Sequence, residues 1–193
     1  MKVELLQVLV DFIHKTEPVS GPWLLGGSTS LKLLSGTGEP GDIDVFTDVA
    51  TGAALSEVLQ DALTSPWRWD PCWPYENWRA ELKLRGIKIE IYGDLTIRKG
   101  NYTYVLSPRE VVWAKRRVWQ GCGVKINIIP VAEQILFNYL VGKKSYKDWL
   151  GVARREGLPW TELEGYWLAR GVPVDLIKNL REEVLAYAGN RQA

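Results

Sequence analysis

The amino-acid sequence predicts an α+β fold, in which a mixed, twisted sheet flanked by helices is followed by a C-terminal helical segment. Short apolar or alternating runs, typical of strands, are interspersed with helical patterns in residues 1–130. From Val131 onward, apolar residues recur at helical spacing throughout. This change predicts two parts, a mixed domain over 1–130 and a helical segment over 131–193.

The composition is typical of a globular protein. The chain has 193 residues, of which 46% are apolar and 24% charged, enough to form a core in one domain or in one domain with a compact helical extension. The formal net charge of +1 excludes a global basic field of the kind that attracts nucleic acids. Binding of RNA through a local patch stays open.

The sequence does not predict a membrane protein, because every apolar run falls short of the roughly 20 residues that cross a bilayer. Residues 1–15, with Glu4 and Asp11, indicate an amphipathic helix rather than a signal peptide, and we expect a cytoplasmic protein. Cys72 and Cys122 lack the CxxC spacing of zinc and redox sites. Their pattern favours two buried, unpaired cysteines over a disulfide.

The first elements follow from apolar spacing and from helix breakers. Helical spacing of apolar residues predicts an opening helix over 2–15. A short apolar run then ends at a double glycine, which is typical of a buried strand that meets a tight turn. A hydroxyl residue next predicts the cap of a second helix. Alternating polar and apolar residues then predict a strand, and apolar residues at helical spacing predict a third helix. These elements are the strand over 23–25, the helix capped by Ser28 or Thr29, the strand over 42–46 and the helix over 53–63.

Alternation on both sides of Gly86 predicts a β-hairpin over 80–92. The preceding stretch over 66–78 is rich in Trp and Pro and supports no assignment; it could form a wall of a binding pocket or a plain apolar cap. A further strand over 102–106 and a helix over 109–119 are predicted next. The C-terminal pattern then predicts four helices, over 131–142, 145–156, 160–169 and 173–188.

The first motif with candidate chemistry is Gly26-Gly27-Ser28, between a strand and a helix. Glycine has no Cβ, so a ligand can approach the backbone, and the N–H groups and positive dipole end of the helix suit a phosphate. Ser28 adds a hydroxyl donor, and Lys32 lies one helical turn later. An ordinary strand-to-helix turn would have the same sequence.

The second motif is Asp42-Ile43-Asp44. Residues i and i+2 of a strand project to the same side, so both carboxylates face one way and Ile43 faces the core. Their mutual repulsion is removed if a divalent cation lies between them, and oxygen ligands favour magnesium over zinc. A strand with a solvated acidic face is the alternative.

The third motif is Glu90, which shares a strand face with Lys88 and Tyr92. If this strand lies beside that of Asp42, Glu90 completes a cluster of three carboxylates. Glu81, on the partner strand of the hairpin, is the competing candidate.

The order of these motifs resembles that of the nucleotidyltransferases related to DNA polymerase β, especially small bacterial and archaeal members such as the antibiotic nucleotidyltransferases and the nucleotidyltransferase toxins of abortive-infection systems. Their pattern is an apolar residue with Gly-Gly or Gly-Ser, then Asp-x-Asp, then a strand with one carboxylate. In these families a C-terminal helical segment often carries a basic residue followed by Lys-Asp. Ser145-Tyr146-Lys147-Asp148 is similar to this motif, although Ser145 stands where an Arg is common. The resemblance covers residues 20–150; its earlier matches are Leu25-Gly26-Gly27-Ser28, Asp42-Ile43-Asp44-Val45 and Ile89-Glu90-Ile91.

This resemblance implies a nucleotidyltransferase fold and a two-metal enzyme that uses Mg²⁺, or alternatively Mn²⁺. Such an enzyme transfers a nucleoside monophosphate from ATP or another nucleoside triphosphate to an acceptor hydroxyl on a tRNA, a protein or a small molecule. The implied metal ligands are Asp42, Asp44 and Glu90, around ions roughly 3.5–4 Å apart. The residues implied to bind the nucleotide are Gly26, Gly27, Ser28, Lys32 and Lys147.

Two other functions stay open. The chain could be a catalytically silent binding protein with the same fold, although three intact carboxylates argue against a decayed site. It could instead be an RNA-binding module that uses basic helices, with Lys115-Arg116-Arg117 and Trp119 in the helix predicted over 109–119. A solvated helical face is the simpler explanation of that basic stretch.

Overall fold

The computed structural model describes residues 3–72 and 74–189. The chain divides into two compact units, Met1–Pro130 and Val131–Ala193. In chain order the elements are α1 (Val3–Thr16), β1 (Trp23–Gly26), α2 (Gly27–Ser35), β2 (Asp42–Thr47), α3 (Val49–Val58), a 3-10 turn (Gln60–Ala62), β3 (Leu63–Asp70), β4 (Tyr75–Leu84), β5 (Ile87–Lys99), β6 (Tyr102–Leu106), α4 (Glu110–Ala114), β7 (Arg117–Gly121), β8 (Val124–Ile128), α5 (Val131–Leu140), α6 (Tyr146–Arg155), α7 (Trp160–Ala169) and α8 (Val174–Gly189).

The first unit is built on one mixed sheet with the strand order β3-β4-β5-β2-β1-β8-β7, and β6 also pairs with β5. The pairs β2–β5 and β1–β8 are parallel, whereas the other pairs are antiparallel. The predicted α+β fold is therefore confirmed, as are the opening helix and the β4–β5 hairpin. At the hairpin turn, Arg85 and Gly86 have φ values of 48° and 81°, as in a type I′ turn.

Helices cover one face of this sheet. Ile43 and Val45 of β2 are fully buried in one cluster with Ile89 and Ile91 of β5, together with apolar residues of α1, α2 and α3. Because side chains alternate along a strand, Asp42, Asp44 and Glu90 project from the opposite face. The apolar core therefore decides which way the acidic residues point.

The tryptophans of β3 and β4 lie on the helix-covered face. A Cβ at Gly52 of α3 would lie 2.2 Å from the Trp67 ring, and one at Gly93 of β5 would lie 2.6 Å from it. Trp67 also stacks on Trp78, with 6.0 Å between ring centroids. The two glycines make room for the ring, so this part of the stretch over 66–78 acts as an apolar cap; Trp73 lies outside the described residues.

Two predicted helices differ from the structure. The helix predicted over 53–63 begins at Val49, since Asp48 caps it, and ends at Val58. The helix predicted over 109–119 covers Glu110–Ala114 alone. The residues after it alternate and pair as the β7–β8 hairpin, so sheet pairing overrides the local helical spacing.

This second correction removes one of the basic helices on which the RNA-binding alternative was based. Arg117 begins β7, and Trp119 packs against the core of the sheet rather than standing free to stack on a base. The cysteine prediction was wrong in one respect. Cys72 and Cys122 are free, as expected, but both are exposed, Cys122 in the β7–β8 turn.

The second unit consists of the helices α5–α8. Glu133 of α5 is fully buried and accepts hydrogen bonds from the Tyr166 hydroxyl at 2.5 Å and from Arg170 Nη2 at 2.9 Å. The Trp167 indole N–H donates to the Ala132 carbonyl at 2.8 Å. A buried carboxylate is tolerated because its charge is paired. Among the described residues, no helix has the length and apolar character that a membrane span requires.

The cap of α3 predicts a pH-dependent contribution to stability. Asp48 accepts a hydrogen bond from the Thr51 N–H at 2.8 Å and pairs with Arg109 at 3.2 Å. Burial alone would raise the pKa of Asp48, but these contacts outweigh burial, so the folded protein holds this pKa below its usual value. The stabilisation is therefore present above the pKa of the unfolded chain and is lost as the pH falls through the folded value.

We expect Asp48→Ala to lower the free energy of unfolding at pH 7 by about 1 kcal/mol, the usual value of a lost helix cap. The difference from the unchanged protein should shrink when urea unfolding is measured below pH 4, where the aspartate of the unfolded chain is protonated. Asp61→Ala, at an exposed position, is the control and should have little effect. A difference that is independent of pH would contradict this interpretation.

Candidate active site

Three carboxylates meet on the face of the sheet opposite the one that packs against α1, α2 and α3. In the parallel pairing of β2 with β5, Asp44 lies opposite Glu90, and Asp42 lies opposite Lys88. One carboxylate oxygen from each of Asp42, Asp44 and Glu90 lies within 4.8 Å of the other two. Glu90 is 6% exposed, while the aspartates are partly exposed. Two acids of β2 and one of β5, far apart in the sequence, are thus within reach of one cation.

The double glycine lies directly against this cluster. Gly26 pairs with Asp44 across β1 and β2. Gly27 has a φ of 62°, and a Cβ there would lie 1.9 Å from Asp44 Oδ2. Glycine is therefore required for two reasons, because the backbone conformation is left-handed and because the Asp44 carboxylate occupies the space of a side chain.

Helix α2 begins beside Asp44 without a side-chain cap. Gly26 is its N-cap residue, so the predicted cap at Ser28 or Thr29 was wrong, and Ser28 is exposed in the first turn. The hydroxyl of Thr29 is buried and donates instead to the Asp42 carbonyl at 2.5 Å, while Ser30 Oγ donates to the Gly27 carbonyl at 2.8 Å. Thr29 thus joins α2 to β2. The sequence did not indicate this role, because its hydroxyl signal fits a cap equally well.

Two cations bind Glu90. Lys88 Nζ lies 2.8 Å from Glu90 Oε2, and the Arg79 guanidinium binds Glu90 Oε1. Burial alone would raise the pKa of Glu90, but the hydrogen bonds from Lys88 and Arg79 outweigh burial and lower this pKa. Glu90 is therefore an anion at neutral pH, which a metal ligand must be.

Arg79 is a residue of the site that the sequence did not indicate. Besides Glu90, it binds Glu81, and its Nη1 lies 3.2 Å from Asp70 Oδ2. Glu81 lies opposite Glu90 in the β4–β5 register, and Arg79 is bound between their carboxylates. Among the described residues, the acids close enough to share a metal are Asp42, Asp44 and Glu90, without Glu81.

Aromatic side chains border the cluster. The Tyr92 ring stacks on Phe46 at 5.2 Å, and the Arg79 guanidinium lies 5.8 Å from the centroid of the Tyr92 ring. Burial, together with the negative charges of Asp44 and Glu90, raises the pKa of Tyr92. Burial and Asp44 raise the pKa of Tyr75 in the same way. Both phenols are therefore neutral at physiological pH.

The two predicted lysines have other contacts. Lys32 Nζ donates to the Gly36 carbonyl at 2.6 Å and so binds at the C-terminal end of α2, whereas Gly27 lies at its N-terminal end. Lys147 belongs to α6 in the second unit, where its ammonium lies 5.7 Å from the centroid of the Tyr146 ring. Of the residues predicted to bind the nucleotide, Gly26, Gly27 and Ser28 lie at the junction of β1 and α2, next to Asp44.

Comparisons with known proteins identify the fold by structure. No family model matches the sequence, and no curated protein matches it either. A solved structure from Thermotoga maritima, assigned as a nucleotidyltransferase, is 22% identical with a TM-score of 0.63, and the match covers 88% of this chain and 95% of that one. The crystal structure of ANT(2″)-Ia in complex with adenylyl-2″-tobramycin is 9% identical with a TM-score of 0.55, over 87% of this chain and 97% of that one.

The solution structure of the same antibiotic-resistance factor, ANT(2″)-Ia, is 12% identical with a TM-score of 0.50, and the match covers all of this chain and 97% of that one. These matches extend over nearly the whole chain, so they include both compact units. The chain has the α+β fold of the nucleotidyltransferases.

Proposed function

We propose that this chain is a metal-dependent nucleotidyltransferase, which transfers a nucleoside monophosphate from a nucleoside triphosphate to an acceptor hydroxyl. The observation that carries the proposal is the cluster of Asp42, Asp44 and Glu90 beside the Gly26-Gly27 turn. The similarity to ANT(2″)-Ia, whose complex contains an adenylylated small molecule, supports the same class of reaction.

The donor set suits the metal that this reaction needs. Three carboxylate oxygens within 4.8 Å of one another are hard ligands, which favour Mg²⁺ and also accept Mn²⁺. When bound there by Asp42, Asp44 and Glu90, one or two such ions would neutralise the triphosphate and lower the pKa of the acceptor hydroxyl. Gly27 fits a metal site at this place, because the absence of a Cβ leaves room for the Asp44 carboxylate.

Other groups of the chain would hold the phosphates of the nucleotide in position. The N–H groups at the start of α2, those of the N-cap residue Gly26 and of Gly27 and Ser28 in the first turn, would bind phosphate oxygens, because the start of this helix has no side-chain cap. The Ser28 hydroxyl would add one donor. Lys32, if it leaves the Gly36 carbonyl, would bind the pyrophosphate that is released. The assignment of Lys147 to the nucleotide stays a prediction from the sequence.

The reaction balances without any redox partner. The acceptor oxygen attacks the α-phosphorus and forms a new P–O bond, while the bond to the oxygen that bridges to the β-phosphate breaks. Pyrophosphate leaves with that electron pair, and the hydroxyl proton passes to solvent. Catalysis is then mostly positioning and electrostatic stabilisation by the residues around the phosphates.

The remaining assignments are part of the same proposal. Residues 1–130 form the catalytic core, and 131–193 form the C-terminal helical segment. The enzyme acts in the cytoplasm, and its acceptor belongs to one of three classes: an RNA end such as that of a tRNA, a protein side chain or a small molecule.

The direct test is transfer from labelled nucleoside triphosphates, each offered with Mg²⁺ and with tRNA, protein or aminoglycoside acceptors, with pyrophosphate release as the readout. We expect Asp44→Asn to lower the rate by about two orders of magnitude or more, because a metal ligand is lost. Asp61→Asn, the same change at an exposed position of the same unit, should leave the rate unchanged. Equal rates for the two variants would exclude the metal-dependent scheme.

A second test uses the contact between Gly27 and Asp44. Gly27→Ala places a Cβ 1.9 Å from Asp44 Oδ2 and should abolish Mn²⁺ binding, measured by electron paramagnetic resonance. Gly38→Ala is the matched control, since Gly38 has a φ of 83° but no atom within 4 Å of its Cβ position. Both variants should lose about 1–2 kcal/mol of stability in urea unfolding, because both place alanine in a left-handed conformation. Unchanged Mn²⁺ binding in Gly27→Ala would contradict the assigned site.

A further inference from the structure

The two cations that bind Glu90 differ in how firmly they are held. Arg79 contacts three carboxylates, those of Asp70, Glu81 and Glu90, and its side chain is 27% exposed. The Lys88 side chain is 40% exposed, and within the described part of the chain its one ion pair is with Glu90. Arg79 is therefore fixed by several partners, whereas a single contact holds the Lys88 ammonium.

Each cation binds a different oxygen of Glu90. The Arg79 guanidinium binds Glu90 Oε1 and also the Glu81 carboxylate, whereas Lys88 Nζ lies 2.8 Å from Glu90 Oε2. Lys88 also lies opposite Asp42 in the parallel register, and the charges of Asp42 and Glu81 act on it as well. Its ammonium thus lies within the negative field that would attract a divalent cation.

A divalent cation bound to the same Glu90 oxygen as the ammonium would be strongly repelled by it. Like charges only a few ångströms apart still repel at the effective dielectric constant near a protein surface, and the repulsion is larger for a doubly charged ion than for a singly charged one. The ammonium can relieve this repulsion by turning away, because a lysine carries a point charge on a long, flexible stem. Arg79, with three partners, cannot do so at the same low cost.

We propose that Lys88 is a displaceable counter-ion of the carboxylate cluster. It binds Glu90 Oε2 while no divalent cation is present, and it gives up this contact when one binds. The inference rests on the proposed function, since it assumes that Asp42, Asp44 and Glu90 bind a metal. It adds that the chain sets its own metal affinity, because each metal ion that binds must compete with Lys88.

The test is a titration of the whole chain with Mn²⁺ alone, without nucleotide, followed by electron paramagnetic resonance. Lys88→Met removes the competing charge but keeps a side chain of similar length, and we expect it to bind Mn²⁺ about fivefold more tightly, in line with a partly exposed ion pair. Lys88→Arg keeps the charge and should bind Mn²⁺ no more tightly than the unchanged protein.

Lys83→Met is the matched control. Lys83 lies opposite Lys88 in the β4–β5 register, is exposed and makes no ion pair among the described residues. If Lys88 acts through its contact with Glu90, Lys83→Met should bind Mn²⁺ with nearly unchanged affinity. A gain equal to that of Lys88→Met would show a general effect of net charge and would overturn the proposal.

Thermal unfolding supplies a second readout. Without metal, Lys88→Met leaves the carboxylates less neutralised and should unfold at a lower temperature, and saturating Mn²⁺ should raise its Tm more than that of the unchanged protein. Unchanged or weaker Mn²⁺ binding by Lys88→Met would refute the role of Lys88 while the metal site stands. Failure of the unchanged protein to bind Mn²⁺ would refute both this inference and the metal dependence of the proposed function.

Discussion

Asp44 and Glu90 lie opposite one another because β2 and β5 pair in parallel, and every other part of the candidate site is placed relative to that pair. Neighbouring strands are about 4.8 Å apart, so side chains that project from paired positions to one face are within reach of a single ion. Asp42 joins them from two residues earlier on β2, and Gly26 extends the same row onto β1. Without this pairing, the three acids would be ordinary polar residues of separate strands.

A cluster of carboxylates on a partly buried surface is electrostatically costly, and the chain offsets this cost with cations. Arg79 neutralises Glu81 and one oxygen of Glu90, and Lys88 neutralises the other oxygen. Two of the chain's own cations thus meet at Glu90 and reduce the cost of placing its charge beside the two aspartates.

Local sequence patterns predicted the parts of the fold that depend on local chemistry. The alternation around Gly86 identified the β4–β5 hairpin, and the spacing of Asp42 and Asp44 identified the strand that presents both carboxylates. The β7–β8 hairpin was missed, because the start of β7 also fits a helical spacing and only pairing within the sheet decides between the two. Arg79 was missed for a related reason. Its role depends on the β4–β5 register, which brings it between Glu81 and Glu90, and no motif encodes that contact.

The alternation that builds the core also protects the site. Ile89 and Ile91 are fully buried on the helix-covered face, and Glu90 lies between them with its side chain on the other face. A slip of one residue between β2 and β5 would turn both isoleucines toward the acidic face and would bury the Glu90 charge among apolar side chains. Burial of an unpaired carboxylate costs far more than the loss of a few contacts, so the register that completes the acidic cluster is also the one that the core favours. Folding and site assembly are therefore satisfied by one and the same strand pairing.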